Sequence, residues 1–246
     1  MNRHAMMSIP YGDNGIPVYI TCKDEKRPAI ILIHEVWGLT DHIKSIANRF
    51  CDEGYMVLAP DLVADTDLEK VLDLRLQKII FDEKEKLKHQ TEIRRMWTPL
   101  RSPEFARQTI QKLQACFDYL LSQDQIGKIG VVGFCFGGTY SYNLAINQPE
   151  LAAAVPFYGH FDHDDEELKR IMCPILAFYG EKDENLMQAL PDLKKRMRQA
   201  HKDFNYKVYP NCGHAFFNDT NELTYNKEAA EDAWKRANAF LQEHLS

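Results

Sequence analysis

Short apolar runs alternate with longer amphipathic stretches along most of the chain. The runs at 29–34 (AIILIH) and 129–133 (IGVVG) are continuously apolar, which is typical of strands buried on both faces of a parallel sheet. Residues 41–52 carry apolar side chains at spacings of three and four, which predicts an amphipathic helix. Strands that alternate with helices indicate an α/β fold whose central, mostly parallel sheet has helices on both faces.

The same patterns predict the other elements. Further strands are expected at 16–22, 55–59, 152–158, 174–179 and 204–209. Further helices are expected at 105–121, 136–147, 186–200 and 229–244. Residues 65–97 combine helically spaced apolar residues with a highly charged run, so we expect helix and solvated loop there. Because no repeat or linker interrupts the alternation, we expect residues 1–246 to form one domain, with a variable, lid-like helical segment at about 65–101.

Composition narrows the class of protein. The 246 residues include 30 basic and 36 acidic side chains, a net charge of −6, which argues against nucleic-acid binding because that function needs a basic face. Apolar runs such as residues 30–33 are far shorter than the ~20 residues of a membrane-spanning helix. The N-terminal residues contain no secretory signal, and the six widely spaced cysteines form no C-x-x-C pair. We therefore expect a cytoplasmic location and no membrane association.

The sharpest chemical signal lies at residues 131–141, VVGFCFGGTYS. A predicted strand leads through Gly133, Cys135 and Gly137 into a predicted helix, which is the cysteine form of the G-x-S-x-G nucleophile elbow. The glycines let strand and helix approach closely, and the N–H groups at the helix N-terminus favour a thiolate. The alternatives are a buried structural cysteine and a nucleotide-binding loop. The latter lacks support because neither G-x-G-x-x-G nor G-K-[ST] is present.

A nucleophile needs a base and a group that orients the base, and the downstream sequence offers both. Asp183 and His214 each come just after a predicted strand, where open α/β sheets build their sites. The order Cys135, Asp183, His214 is the chain order of α/β-hydrolases. Glu181 is the alternative acid. Taken singly, Asp183 also fits a helix cap and His214 a turn residue.

Glu35, Val36 and Trp37 follow the predicted strand at 29–34. In the hydrolase fold the loop after this strand supplies one oxyanion donor, so we assign that donor to the Val36 N–H and the second to the Phe136 N–H. A buried carboxylate is costly without a partner, which makes Glu35 unusual as a purely structural residue. The candidates for lining a substrate pocket are aromatic residues that also fit a packing role: Trp37, Tyr158 and Trp97.

Together these segments resemble the dienelactone hydrolase (carboxymethylenebutenolidase) family. The similarity runs in family order through IHEVWGLTDHIKSIANRFCDEGYMVLAPDL, GVVGFCFGGTYS, PFYGHFD, PILAFYGEKDEN, VYPNCGHAFFND and EAAEDAWKRANAFL. It implies an α/β-hydrolase fold with a triad of Cys135, His214 and Asp183. It also implies that Glu35 lies near the thiol and helps to form the thiolate when substrate binds. The implied activity is hydrolysis of a lactone or an activated ester.

The chain departs from the family where a substrate carboxylate would bind. Family members that act on dienelactones hold this carboxylate with arginines. One arginine lies four residues beyond the catalytic histidine, where this chain has Asn218. The other comes from the variable helical stretch, where the candidates are Arg94, Arg95 and Arg101. The sequence therefore favours ester or lactone hydrolysis without specifying the substrate.

The expected partner is a small-molecule ester or lactone, with the chain acting as a monomer or a homodimer. We expect no cofactor and no metal, because the dinucleotide fingerprint is missing and the nine histidines form no H-E-x-x-H motif. Two other functions remain as alternatives. One is a non-catalytic ligand-binding protein on a hydrolase fold, and the other is an oxidoreductase on a nucleotide-binding α/β fold.

Overall fold

The computed structural model describes residues 3–22, 26–64 and 74–246. Within these ranges, eight strands form one sheet in the order β1-β2-β4-β3-β5-β6-β7-β8. The strands are β1 (Arg3–Ile9), β2 (Ile16–Cys22), β3 (Arg27–Ile33), β4 (Met56–Pro60), β5 (Ile126–Phe134), β6 (Ala153–Phe157), β7 (Ile175–Gly180) and β8 (Phe204–Tyr209). Strands β3 to β8 are parallel, whereas β2 pairs antiparallel with both β1 and β4. The predicted α/β fold with a mostly parallel sheet is confirmed.

Nine helices are found in the described ranges. They are α1 (Asp41–Asp52), α2 (Leu74–Ile79), α3 (Glu83–Lys88), α4 (Gln90–Leu100), α5 (Pro103–Leu121), α6 (Phe136–Asn147), α7 (Asp165–Lys169), α8 (Glu184–Gln199) and α9 (Lys227–Leu245). None of these helices has the length and apolar character needed to cross a bilayer. The predicted helices are confirmed, and the bounds of α1 and α6 are those expected.

Helices cover both faces of the sheet, as β5 demonstrates. A Cβ built on Gly130 would touch Leu241 and Leu245 of α9, whereas one built on Gly133 would collide with the start of α6. Residues an odd number of positions apart point to opposite faces of a strand. Helices α9 and α6 therefore pack on opposite faces, and β5 between them is buried, which explains its continuous apolar run.

Two elements were not predicted from the sequence. Strand β1 forms an antiparallel hairpin with β2, in which Arg3 lies opposite Cys22 and Ile9 opposite Ile16. Its sequence, RHAMMSI, shows no regular alternation, so its strand character comes from pairing with β2. The second element is the five-residue helix α7, which begins with a capping box between Asp164 and Glu167.

The predicted lid-like segment forms three short helices, α2 to α4, in its described part. This agrees with the expected mixture of helix and loop. Its first portion, residues 65–73, lies outside the described residues. Val36 and Trp37, in the loop after β3, form an apolar cluster with Leu76 and Met96 of the lid-like segment. This cluster places α2 and α4 over the loop that follows β3.

The carboxyl ends of five neighbouring parallel strands meet at one edge of the sheet. Strands β3, β5, β6, β7 and β8 are consecutive there, and the last residues of β7 and β8, Gly180 and Tyr209, lie opposite each other. One candidate residue follows each of these strands, in chain order Glu35, Cys135, Tyr158, Asp183 and His214. Open α/β sheets bind their ligands at such an edge, so the fold brings the predicted site residues to one place.

Most of the cysteines are packing residues, as expected. Cys51, Cys116, Cys173 and Cys212 are buried free thiols, whereas Cys135 is partly exposed. Burial raises the pKa of the thiols of Cys173, to about 12, and of Cys116 and Cys212, which keeps them protonated and unreactive at neutral pH.

Candidate active site

Cys135 lies in a strained turn between β5 and α6. Its φ of 56° falls in the left-handed region that non-glycine residues seldom adopt. The turn is possible because Gly133 and Gly137 have no side chain. A Cβ on Gly133 would collide with the carbonyl oxygen of Gly137, and a Cβ on Gly137 would collide with the carbonyl oxygen of Ile33. The turn therefore has the geometry that the elbow sequence predicts, with the thiol at the N-terminus of α6.

His214 is held by Asp183 and not by Glu181. The imidazole Nδ1 lies 2.5 Å from Asp183 Oδ2. Asp183 occupies the N-cap position of α8, but its side chain makes no capping hydrogen bond. Glu181 is exposed, and its Oε2 accepts a hydrogen bond from the Asn211 N–H at 2.9 Å. Of the two acidic candidates, Asp183 alone contacts His214 in the described structure.

On its other side, His214 faces the thiol of Cys135. Burial by itself lowers the pKa of His214, but the neighbouring Cys135 and the hydrogen bonds with Asp183 and Cys135 outweigh burial and raise the pKa to about 10. An imidazolium between two acidic groups is the state that favours a thiolate. Tyr158 and Phe81 pack near the imidazole, with ring centroids 5.0 and 6.4 Å from it.

Glu35 is a buried carboxylate beside this pair. The residue is only 4% exposed to solvent, and its Oε2 accepts a hydrogen bond from Asn218 Nδ2 at 2.6 Å. Burial raises the pKa of Glu35 to about 7, although the hydrogen bond from Asn218 and the charge of His214 partly offset burial. The Tyr158 hydroxyl interacts electrostatically with both Glu35 and Cys135, and burial raises its pKa well above the usual value.

Of the two predicted oxyanion donors, Val36 lies in the loop after β3 and Phe136 is the first residue of α6. The Gly137 N–H donates to the His34 carbonyl oxygen at 3.1 Å, which joins the start of α6 to the loop after β3. Among the described residues, neither the Val36 nor the Phe136 N–H has a protein acceptor. Free N–H groups at the first turn of a helix are available to bind a developing oxyanion.

His34 fixes the loop that carries Val36. Its Nε2 accepts a hydrogen bond from the Leu62 N–H at 3.0 Å, so Nδ1 carries the proton and donates to the Glu35 carbonyl oxygen. Burial lowers the pKa of His34, which keeps the ring neutral. The ring also stacks on Phe136, with centroids 5.7 Å apart. His34 was not singled out from the sequence, because a histidine beside a candidate glutamate gives no sign of a positioning role.

The other residues proposed for the pocket lie in the loop after β3 and on α4. Trp37 belongs to the apolar cluster under α2 and α4. Arg94, Trp97 and Arg101 line a cavity of about 360 Å³ between α3 and α4 that none of the triad candidates lines. Arg95 is exposed on α4. Among the described residues, neither Arg94 nor Arg95 makes an ion pair with a triad candidate, whereas Trp97 also packs against the cluster that contains Trp37.

Phe81 is a site residue that the sequence does not predict. It follows α2 and stacks near His214 at an interplanar angle of 25°. The only signal in the sequence is an isolated aromatic residue at the start of the charged run FDEKEKLK. Within the described ranges, no three His, Cys, Asp or Glu side chains come close enough together to hold a metal ion.

Comparison with known proteins identifies the family. The profile of the dienelactone hydrolase family matches residues 16–245. The chain is 34% identical over 247 residues to a Saccharolobus solfataricus protein named "Putative carboxymethylenebutenolidase", an alignment that covers 92% of this chain and 93% of the relative. It is 31% identical over 252 residues to "Protein usf" of Aquifex pyrophilus, with 97% and 98% of the two chains covered.

Solved structures share the fold over the full chain. A dienelactone hydrolase from Anabaena variabilis superposes with a TM-score of 0.70 at 17% identity, covering 100% of this chain and 99% of that one. A dienelactone hydrolase-like promiscuous phosphotriesterase from metagenomic libraries gives a TM-score of 0.74 at 22% identity, again with 100% and 99% covered. At these identities the structural likeness establishes the fold alone. The family and the class of activity rest on the match of residues 16–245 to the family profile and on the sequence relatives. The chain therefore belongs to the dienelactone hydrolase family, has an α/β-hydrolase fold and is an ester or lactone hydrolase.

Proposed function

We propose that this hydrolase cleaves lactones or activated esters with Cys135 as the nucleophile, His214 as the general base and acid, and Asp183 as the group that orients His214. One observation carries the proposal: His214 lies between the Asp183 carboxylate, 2.5 Å from Nδ1, and the thiol at the strand–helix elbow. This is the relative arrangement of orienting acid, base and nucleophile that acyl transfer requires.

The proposed reaction has two steps. The Cys135 thiolate adds to the substrate carbonyl, the N–H groups of Val36 and Phe136 hold the oxyanion, and His214 protonates the departing alkoxide or enolate as the thioester forms. His214 then takes a proton from water, and the resulting hydroxide attacks the thioester. This attack releases the carboxylic acid and leaves the Cys135 thiolate beside the His214 imidazolium, the state in which the cycle began. Because a thiolate is itself a good leaving group, this site suits activated esters and enol lactones better than amides.

Glu35 is proposed to assist formation of the thiolate. Its pKa, raised to about 7 by burial, lets it exchange a proton near neutral pH. The Tyr158 hydroxyl interacts with Glu35 and with Cys135, so the three groups are close enough to influence one another. A general base with a pKa near the working pH is the most effective one.

The substrate proposed for this site is small and largely uncharged near its carbonyl group. The aromatic rings of Phe81 and Tyr158 pack around His214. The Asn218 amide is buried and already hydrogen-bonded to Glu35 and Thr220, so it is not available to hold a substrate carboxylate. A mechanism that needs a free thiol is also in keeping with a reducing, cytoplasmic location.

Hydrolysis of p-nitrophenyl acetate tests the proposal. We expect Cys135→Ala to lower kcat/KM by at least about a thousandfold, because both chemical steps lose their nucleophile. Cys51→Ala is the matched control, since it removes a buried thiol of α1 and is expected to keep the activity. Far-UV circular dichroism of each variant checks the fold.

Retention of the wild-type rate by Cys135→Ala would refute the cysteine mechanism. Absence of any wild-type activity above that of Cys135→Ala, over a panel of short esters and lactones, would instead favour a non-catalytic ligand-binding protein. Protection of Cys135 from iodoacetamide by a lactone then reports binding separately from turnover.

A further inference from the structure

Asn218 and Glu35 form a buried pair that links two distant parts of the chain. Both residues are almost inaccessible to solvent, with exposures of 1% and 4%. The distance of 2.6 Å between Asn218 Nδ2 and Glu35 Oε2 is short for an amide donor, as expected when the acceptor carries charge. A buried amide and a buried carboxylate each need such a partner, so neither is replaceable without cost to the other.

The orientation of the Asn218 amide is fixed from its other end. Asn218 Oδ1 accepts hydrogen bonds from the Thr220 N–H at 3.0 Å and from Thr220 Oγ1 at 2.7 Å. A flipped amide would direct its NH₂ group at the Thr220 backbone donor, which is unfavourable. The NH₂ group therefore faces Glu35, and Glu35 Oε2 always acts as an acceptor.

The loop that carries Asn218 is anchored independently of Glu35. The Asn218 N–H donates to the Ala215 carbonyl oxygen at 3.0 Å, and the neighbouring Asp219 carboxylate lies 2.9 Å from His42 Nδ1 on α1. These contacts hold the amide in place whatever the protonation state of Glu35. Any proton that Glu35 carries must then sit on Oε1, the oxygen that Asn218 does not occupy.

We propose that Asn218 is a positioning residue that fixes the orientation of the Glu35 carboxylate and stabilises its ionised form, so that Glu35 is able to accept the proton of the Cys135 thiol. This inference rests on the role proposed above for Glu35 in forming the Cys135 thiolate. The other groups that face Glu35 are His214 and Tyr158, and Tyr158 also faces Cys135. His214 and Asn218 favour the carboxylate, whereas burial opposes it.

The pH dependence of Cys135 alkylation by iodoacetamide tests this role, read by mass spectrometry of the peptide that contains Cys135. Asn218→Leu keeps the approximate volume of the side chain and removes the donor. We expect the midpoint of the alkylation profile to move upward by about one pH unit or more, because loss of a donor disfavours the carboxylate. In a Glu35→Gln background the same substitution is expected to leave the profile unchanged.

Two further variants complete the experiment. Thr220→Val is the matched control, because it removes only the hydroxyl donor to Asn218 Oδ1 and retains the backbone donor, so the midpoint is expected to stay in place. Asn218→Asp keeps the shape and the contact with the Thr220 N–H but presents an oxygen to Glu35, so it should also raise the midpoint. If Asn218→Leu does not fold, the midpoint of the alkylation profile is measured on Asn218→Asp instead.

A wild-type midpoint in the folded Asn218 variants would overturn the inference, as would an equal shift in the Glu35→Gln background. Neither result changes the loss of ester hydrolysis that is expected for Cys135→Ala. Failure of this inference is therefore distinguishable from failure of the cysteine mechanism. A shift that requires both Asn218 and Glu35 supports the positioning role, since a merely structural defect would not depend on Glu35.

Discussion

Two residues of the site, Cys135 and Glu35, occupy states that are unfavourable in isolation. Cys135 has a positive φ, which costs about 1–3 kcal/mol for a non-glycine residue. Glu35 is a carboxylate removed from water. The surrounding contacts maintain both states: Gly133 and Gly137 allow the turn, and Asn218 donates to the carboxylate. Such states are typical of functional sites, where position and ionisation matter more than stability.

The buried Glu35 carboxylate should make stability depend on pH. Its native pKa of about 7 exceeds the value of 4.5 for an exposed glutamate, so the folded protein binds this proton more tightly than the unfolded chain. The contribution of Glu35 to the free energy of unfolding is therefore fully present at low pH and is lost as the pH rises through about 7. We expect Glu35→Gln to be stabilised relative to wild type by about 2 kcal/mol more at pH 8 than at pH 5.

Urea unfolding of wild type and Glu35→Gln at the two pH values measures this difference. Glu228→Gln, an exposed substitution in the first turn of α9, is the control and should show no comparable dependence on pH. Equal behaviour of the two variants would contradict the raised pKa of Glu35.

Among the elements, the three short helices α2 to α4 form the described part of the lid-like segment, and α2 and α4 pack on the loop after β3. Their apolar side chains Leu76 and Met96 pack on Val36 and Trp37 instead of on the sheet. The loop between α2 and α3 places Phe81 next to His214. The segment therefore contributes to the surroundings of the site, and the apolar side chains of α2 and α4 form a cluster separate from the main core.

Phe81 is expected to limit the size of the group that binds beside His214. Replacing it with alanine removes most of a ring whose centroid lies 6.4 Å from that of the imidazole. We expect Phe81→Ala to raise kcat/KM for p-nitrophenyl butyrate and hexanoate relative to the acetate by about tenfold, the scale of one to two methylene contacts in a pocket. The measurement is the ratio of kcat/KM values along the ester series.

Leu87→Ala on α3 is the control for this prediction, because Leu87 is 67% exposed and does not line the triad. It should leave the chain-length preference unchanged. If both variants keep the wild-type preference, Phe81 does not border the substrate.

At the scale of the whole molecule, stability and catalysis are separated in space. The triad lies at the carboxyl edge of the sheet, whereas α9 covers one face of its centre. Leu241 of α9 is fully buried and faces Gly130 of β5. The glycine leaves room for this side chain, so the helix and the strand pack closely.

Leu241→Ala should therefore weaken the fold without affecting the chemistry. A buried leucine truncated to alanine costs about 2–5 kcal/mol because a cavity remains. We expect the urea midpoint to fall accordingly, while kcat and KM for p-nitrophenyl acetate at 25 °C stay within about twofold of wild type. A large fall in kcat with little loss of stability would mean that α9 acts on the site, contrary to this view.

The sequence by itself determined the class of fold, most element bounds and the identity of the triad candidates. Buried parallel strands appear as continuous apolar runs, and helices as periodic ones, so both are local signals. Cys135, Asp183 and His214 each follow a predicted strand, and parallel topology alone brings strand ends to one edge. The single domain expected for residues 1–246 stays a prediction.

Only the tertiary structure decided the contacts between distant residues. Asn218 and Glu35 are 183 positions apart, and nothing local to either residue predicts their hydrogen bond. The same holds for the hydrogen bond between Asp183 and His214, for the contact of Phe81 with His214 and for the pairing of β1 with β2. Each depends on how strands and loops are placed relative to one another, because side-chain direction and burial at a strand end are set by neighbours that are remote in sequence.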